Sequence, residues 1–349
     1  MKNVFLINSH TTFLTTLGVV DRLQLNADDI IFVYLRDYKN RFFKVDYKSF
    51  DISYLFYNYP PHDIWRNRRM QQSLLKEVDE FIEDSIGELY YLYAPHYSHP
   101  IFQMFYTHDF CQKGAYVQEG GVPFKDAYLV NPTIIERIKF WLINRLLVSS
   151  KRFQYPNSWY YKNRLYKQKS IDSYATSDAF FEYLPSNNHI MMWPRLELDI
   201  NIQNERPFFI FDGFVKNRKI ESDFYLQKCK KLIQREANIS NYIKFHPAQS
   251  VEERNTILGF FNDNYSSYEI FSDDIPIELV IASCRGLKFI GFGSSLLFYA
   301  RDFGHDVVCV DNFSNSKPDV LDKLKVINNL PSGASVLVIS FNILSKSLP

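Results

Sequence analysis

Short apolar runs alternate along this chain with segments whose apolar positions recur at helical spacing. In the first half, the runs at residues 4–7, 29–35, 87–93 and 115–118 predict buried strands. Between them, residues 68–86 place Leu74, Leu75, Val78, Phe81 and Ile82 at helical intervals with acids between, which predicts an amphipathic helix. The second half predicts strands at 208–211, 242–245, 268–271, 287–290 and 306–310. Helices are predicted at 222–236, 251–261, 276–283 and 294–303. Strands separated by helices point to parallel pairing, because a parallel neighbour is reached only by a long crossover. Five strands with intervening helices are the content of a complete Rossmann-like domain. The polar stretch 184–207, with Asn187, Asn188 and Asn201, reads as a linker. The expected domains are therefore 1–190 and 205–349.

The length of 349 residues agrees with two domains. A hydrophobic share of 46% and a charged share of 23% are those of a globular protein, but 17% aromatic residues is high. That excess fits either a drift toward Asn, Lys, Ile, Phe and Tyr or surfaces that stack on sugars. A net charge of +1 argues against a whole-molecule polyanion binder, and nucleic acid is not an expected partner. Cys111, Cys229, Cys284 and Cys309 show neither CxxC pairing nor metal-ligand spacing, so reduced, mostly buried thiols of a cytoplasmic protein are expected. The apolar run after Met1 is too short for a signal peptide, and no eighteen-residue apolar segment occurs. A soluble or peripheral protein is expected, with the inner membrane face as the peripheral site.

One segment stands apart. Residues 137–169 hold nine Lys or Arg and no acid, interleaved with Phe140, Trp141, Phe153, Tyr155, Trp159, Tyr160, Tyr161 and Tyr166. Three readings fit it: a solvated face over a core helix, a surface that docks on an anionic membrane leaflet, or a site for another polyanion.

The candidate chemistry lies at predicted strand ends, where open α/β sheets bind ligands. His246 closes an apolar strand, with Lys244 two residues earlier and Pro247 ending the ladder. An imidazole there can donate a hydrogen bond or a proton to a departing phosphate. His99-Pro100 shows that the dipeptide alone means little, since it sits in a helix-initiating turn. Residues 288–297 read as strand, glycine turn and helix, with Gly293 in the turn and Ser294 and Ser295 at the helix start. Amides and hydroxyls at a helix N-terminus form an anion site, although a simple cap has the same sequence. Glu278 follows Pro276 in the first turn of another predicted helix. Helix-dipole stabilisation accounts for it, and so does chelation of a ribose diol. Glu119 ends a strand in the first half, before Gly120 and Gly121, where a carboxylate can serve as a general base. No Asp-x-Asp or His/Asp ligand set appears, so no metal is expected.

The order Glu119-Gly120, Lys244-x-His246-Pro247, Pro276-x-Glu278, Ser294-Ser295 resembles the bacterial sialyltransferases of glycosyltransferase families 38, 52 and 80. Those enzymes share a D/E-D/E-G motif, an HP motif and a serine pair on a GT-B fold of two Rossmann-like domains facing across a cleft. The resemblance implies an inverting, metal-independent transfer of sialic acid, or a related nonulosonic acid, from its CMP-sugar to a glycan hydroxyl. It implies Glu119 as the base and His246 as the acid or phosphate-stabilising group. Ser294 and Ser295 would hold the CMP phosphate and Glu278 the ribose, with Lys244 nearby. No cofactor is implied beyond the CMP-sugar donor. The acceptor would be an oligosaccharide or a lipid-linked glycan of lipopolysaccharide, O-antigen or capsule synthesis. Two positions depart from the family pattern: Gln118 replaces the first acid, and Gly121 stands where a serine often follows. Asp212-Gly213 competes for the acidic motif, in a glycine turn that commonly faces the nucleotide in GT-B enzymes. Glu119 is preferred because a base should come from the acceptor domain. The alternatives are a CMP-Kdo or UDP-sugar transferase and a non-catalytic glycan- or membrane-surface binding protein.

Overall fold

The computed structural model describes residues 1–39, 42, 45–64, 67–96, 99–120, 133–152, 171–177, 181, 187–195, 201–218 and 220–310. The chain forms two compact units, Met1–Pro194 and Arg195–Pro349.

In the first unit the elements run β1 (Lys2–Ile7), α1 (His10–Leu23), β2 (Ile30–Tyr34), β3 (Lys48–Asp51), α2 (Tyr54–Asn58), α3 (Pro61–Ile64), α4 (Arg68–Phe81), β4 (Tyr90–Ala94), α5 (Pro100–Thr107), β5 (Cys111–Val117), α6 (Ile134–Leu147), β6 (Ile171–Ala175) and β7 (Asn187–Ile190). The strands form one parallel sheet in the order β3-β2-β1-β4-β5-β6-β7. The stretch expected as a linker thus supplies the edge strand β7, which pairs with β6. The helix expected over 68–86 is α4 followed by a π-helical turn, Ile82–Ile86. Gly87 ends it at a φ of +71°, in the left-handed region that favours glycine.

Helix α1 was not foreseen, because Thr11, Thr12, Thr15 and Thr16 are all buried in it. Small polar side chains let another segment cross the helix closely. A Cβ on Gly18 would stand 2.7 Å from the Met192 carbonyl oxygen, and the Trp193 indole N–H donates to Thr15 Oγ1 at 3.0 Å. The chain leaving β7 is therefore pinned across α1.

The second unit runs β8 (Phe208–Phe211), α7 (Phe214–Arg218), α8 (Ser222–Glu236), β9 (Ser240–Phe245), α9 (Val251–Asp263), β10 (Ser267–Ile270), α10 (Ile277–Ser283), β11 (Lys288–Gly291), α11 (Ser295–Asp302) and β12 (Asp306–Cys309). All five predicted strands are present, in a parallel sheet ordered β10-β9-β8-β11-β12. Helix α9 begins with a capping box: Ser250 Oγ accepts the Glu253 N–H, and Glu253 Oε2 accepts the Ser250 N–H. Phe209, Phe211, Ile243 and Phe245 bury one sheet face against Tyr225, Leu232 and Ile233 of α8 and Ile257 and Phe261 of α9. Each fully buried Phe or Ile contributes about 1.5–3 kcal/mol.

Many aromatic rings build the sheets. Phe5 stacks on Tyr93 at 4.1 Å, and Phe208 on Tyr242 at 4.6 Å and Phe289 at 5.3 Å. These rings belong to the cores. Cys111, Cys229 and Cys309 are buried, Cys284 is partly exposed, and none of the four is joined in a disulfide.

Candidate active site

Each sheet has a switch point where the strand order reverses, between β1 and β4 in the first unit and between β8 and β11 in the second. Ligands of open α/β sheets bind outside the strand C-termini at such points. Glu119 lies there in the first unit, and His246, Asp212-Gly213 and Gly293-Ser294 lie at strand ends about it in the second, while Lys244 and Glu278 belong to the approach to α10.

In the first unit Glu119 follows β5. Its Oε1 accepts the Asn8 amide at 2.7 Å and Arg36 Nη1 at 3.2 Å, while Oε2 lies 3.4 Å from His96 Nε2. Four strand ends supply this cluster: β1, β2, β4 and β5. Asn8 is oriented by its own neighbour, since its Oδ1 accepts the Thr12 hydroxyl at 3.0 Å and leaves its NH₂ for Glu119. Arg36 and Asp37 both have left-handed backbones, with φ of 56° and 55°. Non-glycine residues persist there only when their surroundings enforce it, and such strain gathers at functional sites. Here the Asp37 N–H donates to Ser53 Oγ at 2.8 Å, and the Tyr57 hydroxyl donates to the Asp37 carboxylate.

Burial pushes the Glu119 carboxyl above its ordinary value, against the opposing pull of Arg36 and the Asn8 hydrogen bond. Burial, aided by Arg36 and then His99, lowers His96 to about 3. The Glu119–His96 contact is thus one of a carboxylate with a neutral ring. The Glu119 side chain keeps 24% of its surface exposed, so a reacting hydroxyl can reach it.

The Gln118 departure has a structural reason. Its side chain is buried, with Oε1 accepting the Thr176 N–H at 2.8 Å and Nε2 donating to Gly120 O at 3.4 Å. The amide ties the end of β5 to the end of β6, a bond that a carboxylate could make only on its acceptor side. Gly120 has a φ of +64°, so the turn behind Glu119 favours glycine. Gly121 lies outside the described residues.

In the second unit the loops after β9, β8 and β11 carry His246, Asp212-Gly213 and Gly293-Ser294. The His246 N–H donates to Phe211 O at 2.9 Å, which fixes it beside β8. Its Nδ1 accepts the Ala248 N–H at 3.0 Å, so the proton of the neutral ring sits on Nε2. Burial, then Arg254, holds the His246 pKa below the ordinary histidine value. The ring is therefore a neutral N–H donor at physiological pH.

Ser294 caps α11. Its hydroxyl accepts the Leu296 N–H at 3.4 Å and donates to Asp212 Oδ1 at 3.1 Å. Asp212, the rival for the acidic motif, thus holds the serine loop. A polar path joins the three strand ends: the His246 N–H to Gln249 Oε1, Gln249 Nε2 to the Tyr225 hydroxyl, that hydroxyl to Asp212 O, and Asp212 Oδ1 to Ser294. Ser295 is the first residue of α11, where backbone N–H groups lack intrahelical partners. At Gly291 a Cβ would lie 2.7 Å from Ile210 O, so glycine lets β11 approach β8.

The Lys244 ammonium donates to Ser272 O at 2.6 Å and Ile275 O at 3.1 Å, and pairs with Asp273 at 3.5 Å. It clamps the loop that leads into α10 and Glu278. Burial raises the Glu278 carboxyl above its ordinary value, with a backbone hydrogen bond and Lys244 opposing. Helix-dipole stabilisation alone would lower it, so burial decides the sign.

A cavity of 420 Å³ opens near His246, its lining including Lys216, Ser222, Ala248, Asp223, Glu252 and Glu253. Three carboxylates make it unsuited to a phosphate. Among the described residues no group of three His, Cys, Asp or Glu side chains could hold a metal ion.

Asn8, Arg36 and His96 are the additions to the predicted site. Asn8 and Arg36 are the first polar residues after predicted strand runs, and His96 follows Ala94-Pro95 at the end of another. That position was the available signal.

No protein-family model matches the sequence, and no curated protein matches it significantly. Among solved structures, the chain is similar to an α/β-galactoside α-2,3-sialyltransferase from the luminous marine bacterium Photobacterium phosphoreum. The TM-score is 0.51 at 13% identity, covering 94% of this chain and 96% of that one. The fold is that of the GT-B glycosyltransferases. Two further matches are S. aureus MnaA with UDP and E. coli ADP-heptose LPS heptosyltransferase II. The first has a TM-score of 0.45 at 10% identity, covering 88% of this chain and 79% of that one. The second has a TM-score of 0.39 at 12% identity, covering 89% and 84%. No helix among the described residues is long and apolar enough to cross a membrane.

Proposed function

We propose that this GT-B protein is an inverting, metal-independent sialyltransferase, moving sialic acid or a related nonulosonic acid from its CMP-sugar to a glycan hydroxyl. The observation that carries this reading is the row of strand ends in the second unit, where a neutral His246 with its proton on Nε2 stands beside the Asp212-held serine loop. A leaving phosphate needs such donors, fixed in advance where negative charge develops.

Glu119 takes the acceptor proton as the acceptor oxygen bonds to the anomeric carbon. The bond from that carbon to the phosphate oxygen breaks, and CMP leaves with the electron pair. A carboxyl raised by burial suits a base, because proton transfer is most efficient when the pKa approaches the working pH. His246 meets the departing phosphate with a hydrogen bond from Nε2, since a neutral ring has no spare proton to give up at physiological pH. The backbone N–H groups of Ser294 and Ser295 and the Ser295 hydroxyl hold the phosphate at the α11 N-terminus, with the Ser294 hydroxyl kept on Asp212, and Gly213 and Gly293 leave room for close approach. Glu278 chelates the ribose diol, and Lys244 fixes the loop that carries it. The first unit binds the acceptor, an oligosaccharide or lipid-linked glycan of lipopolysaccharide, O-antigen or capsule synthesis. The protein works in the cytoplasm, peripherally on an anionic membrane surface.

Thermal denaturation with CMP or UDP tests the donor. A ligand that binds only the folded state raises the midpoint. Stabilisation by CMP, with turnover of CMP-sialic acid, supports the proposal. CMP stabilisation with turnover of CMP-Kdo alone would reassign the sugar, and stabilisation by UDP alone would reassign the nucleotide. Stabilisation by neither would leave a glycan- or membrane-surface binding protein.

A further inference from the structure

Helix α6 carries large apolar side chains that the fold does not cover. Ile134, Ile135 and Ile138 are 74%, 78% and 54% exposed, and Trp141 and Leu146 are 56% and 65% exposed. Leu142 is exposed as well. A helix of an ordinary globular domain turns such residues inward. Contiguous apolar surface left outside marks a site of interaction.

The end of the helix is firmly held. Gln71 of α4 donates to Leu147 O at 2.9 Å and accepts the Ser149 N–H at 2.7 Å. Arg152 pairs with Asp79 at 2.5 Å and donates to Met104 O at 3.0 Å. The exposed face therefore stands on a rigid mount rather than on a loose tail.

We infer that α6 is a membrane-docking helix, lying in the headgroup region of an anionic phospholipid leaflet with its Ile, Trp and Leu side chains inserted. This deepens the peripheral-membrane part of the proposed function and rests on that part alone, not on the identity of the donor. Charge selects the occupant. Arg137, Lys139 and Arg145 are interleaved with the apolar positions and outnumber the one acid of the helix, Glu136, and the sequence holds no Asp or Glu from residue 137 to 171. The Arg145 guanidinium lies 5.1 Å over the Trp141 ring, an arrangement whose charge can reach headgroups while the ring enters the acyl boundary. A second copy of the chain would bring the same cations against one another. A leaflet of phosphatidylglycerol supplies the opposite sign. Fourteen residues span about 21 Å of helix, short of the ~30 Å hydrocarbon core, so the helix lies on the membrane and does not cross it. The remainder of the basic aromatic segment, residues 153–169, lies outside the described residues.

Co-sedimentation of the full chain with phosphatidylcholine vesicles, with and without phosphatidylglycerol, tests this. The wild type should bind the anionic vesicles and release them at high salt. Ile138→Ser with Trp141→Ser should weaken binding about tenfold or more, and so should Lys139→Gln with Arg145→Gln. Both pairs alter exposed side chains, so the melting midpoint and its response to CMP should stay unchanged. That response separates failure of this inference from failure of the donor assignment. Equal sedimentation of wild type and both variants would overturn the inference. So would a dimer in solution that the Ile138→Ser, Trp141→Ser variant converts to monomer, since the face would then join two copies.

Discussion

The Ser294 hydroxyl donates to Asp212 Oδ1 at 3.1 Å, tying the loop after β11 to the loop after β8. The bond crosses the switch point of the second sheet and gives Asp212 a positioning role. Asp212→Asn keeps an oxygen that can accept from Ser294, so turnover should fall by no more than about tenfold. Glu119→Gln removes the proposed base and should lower kcat by about 10²–10⁴-fold. Steady-state rates of the two variants decide between the carboxylates. A larger loss in Asp212→Asn than in Glu119→Gln would transfer the base to Asp212.

His246 presents Nε2–H because Ala248 occupies Nδ1. His246→Ala deletes one prepared donor, for which a loss of about 10²–10³-fold in kcat is expected. The ring is only partly buried, and the backbone N–H that joins Phe211 remains. The melting midpoint should therefore change little. Circular dichroism melts beside turnover assays check both halves, and near-normal turnover would remove His246 from the mechanism.

What the sequence revealed follows the burial of each element. The five strands of the second sheet stand within about two residues of their expected limits, and their apolar content is highest at the buried centre, FFIF in β8, and lowest at the β10 edge, SYEI. In the first sheet β3 and β7 are edges, and their sequences, KSFD and NNHI, are mostly polar. Strand β6 hides an acid: Asp172 accepts the Tyr91 hydroxyl at 2.5 Å and the Asn187 amide at 3.0 Å. No local pattern contains those partners. The same limit applied at the site. Glu119 and His246 could be picked out because each ends a strand. The company of Glu119 could not, since Asn8 and Arg36 lie 111 and 83 positions away.

The pH dependence follows from two shifts of opposite direction. A base whose carboxyl is raised places the acid limb of kcat/KM above the ordinary glutamate range. Burial and Arg254 hold the His246 pKa below the ordinary histidine value, so any limb from that ring falls below 6.5. For stability, a raised carboxyl favours the fold below its unfolded pKa, and that contribution is lost as pH rises through the folded value. Glu119→Gln should therefore melt no lower than wild type at neutral pH, with any advantage vanishing in acid. His96 and His99 act in the other sense. Both are lowered to about 3, mainly by burial, so their contribution is present above 6.5 and is lost progressively as pH falls toward 3. His99→Phe, which keeps a ring against Phe56, should flatten the acid decline of the midpoint. A decline as steep as in wild type would assign acid lability elsewhere.

Gly291 tests the mount of the serine loop. A Cβ there meets backbone, the Ile210 carbonyl oxygen at 2.7 Å, so the strands must part. Gly291→Ala should cost about 1–3 kcal/mol, read from denaturant midpoints. CMP affinity should weaken with it, because the β8 and β11 ends carry Asp212 and Ser294. Gly18→Ala makes an equally close contact with Met192 O in the other unit. It should lower stability and leave CMP affinity unchanged for the second unit, which makes it the control.

Lys244 separates positioning from catalysis. Its ammonium is spent on Ser272 O, Ile275 O and Asp273, which hold the approach to α10. Lys244→Met keeps most of the stem that packs near Phe271 and releases those carbonyls. Glu278 then loses a fixed mount, though no group that faces the reacting bond is gone. Binding that is equal in ground and transition states changes KM and leaves kcat alone. The expected signature is a raised KM for the CMP-sugar, a nearly unchanged kcat, and weaker CMP stabilisation in thermal melts. A fall in kcat at saturating donor with KM unchanged would instead mean that the ammonium acts on the departing phosphate.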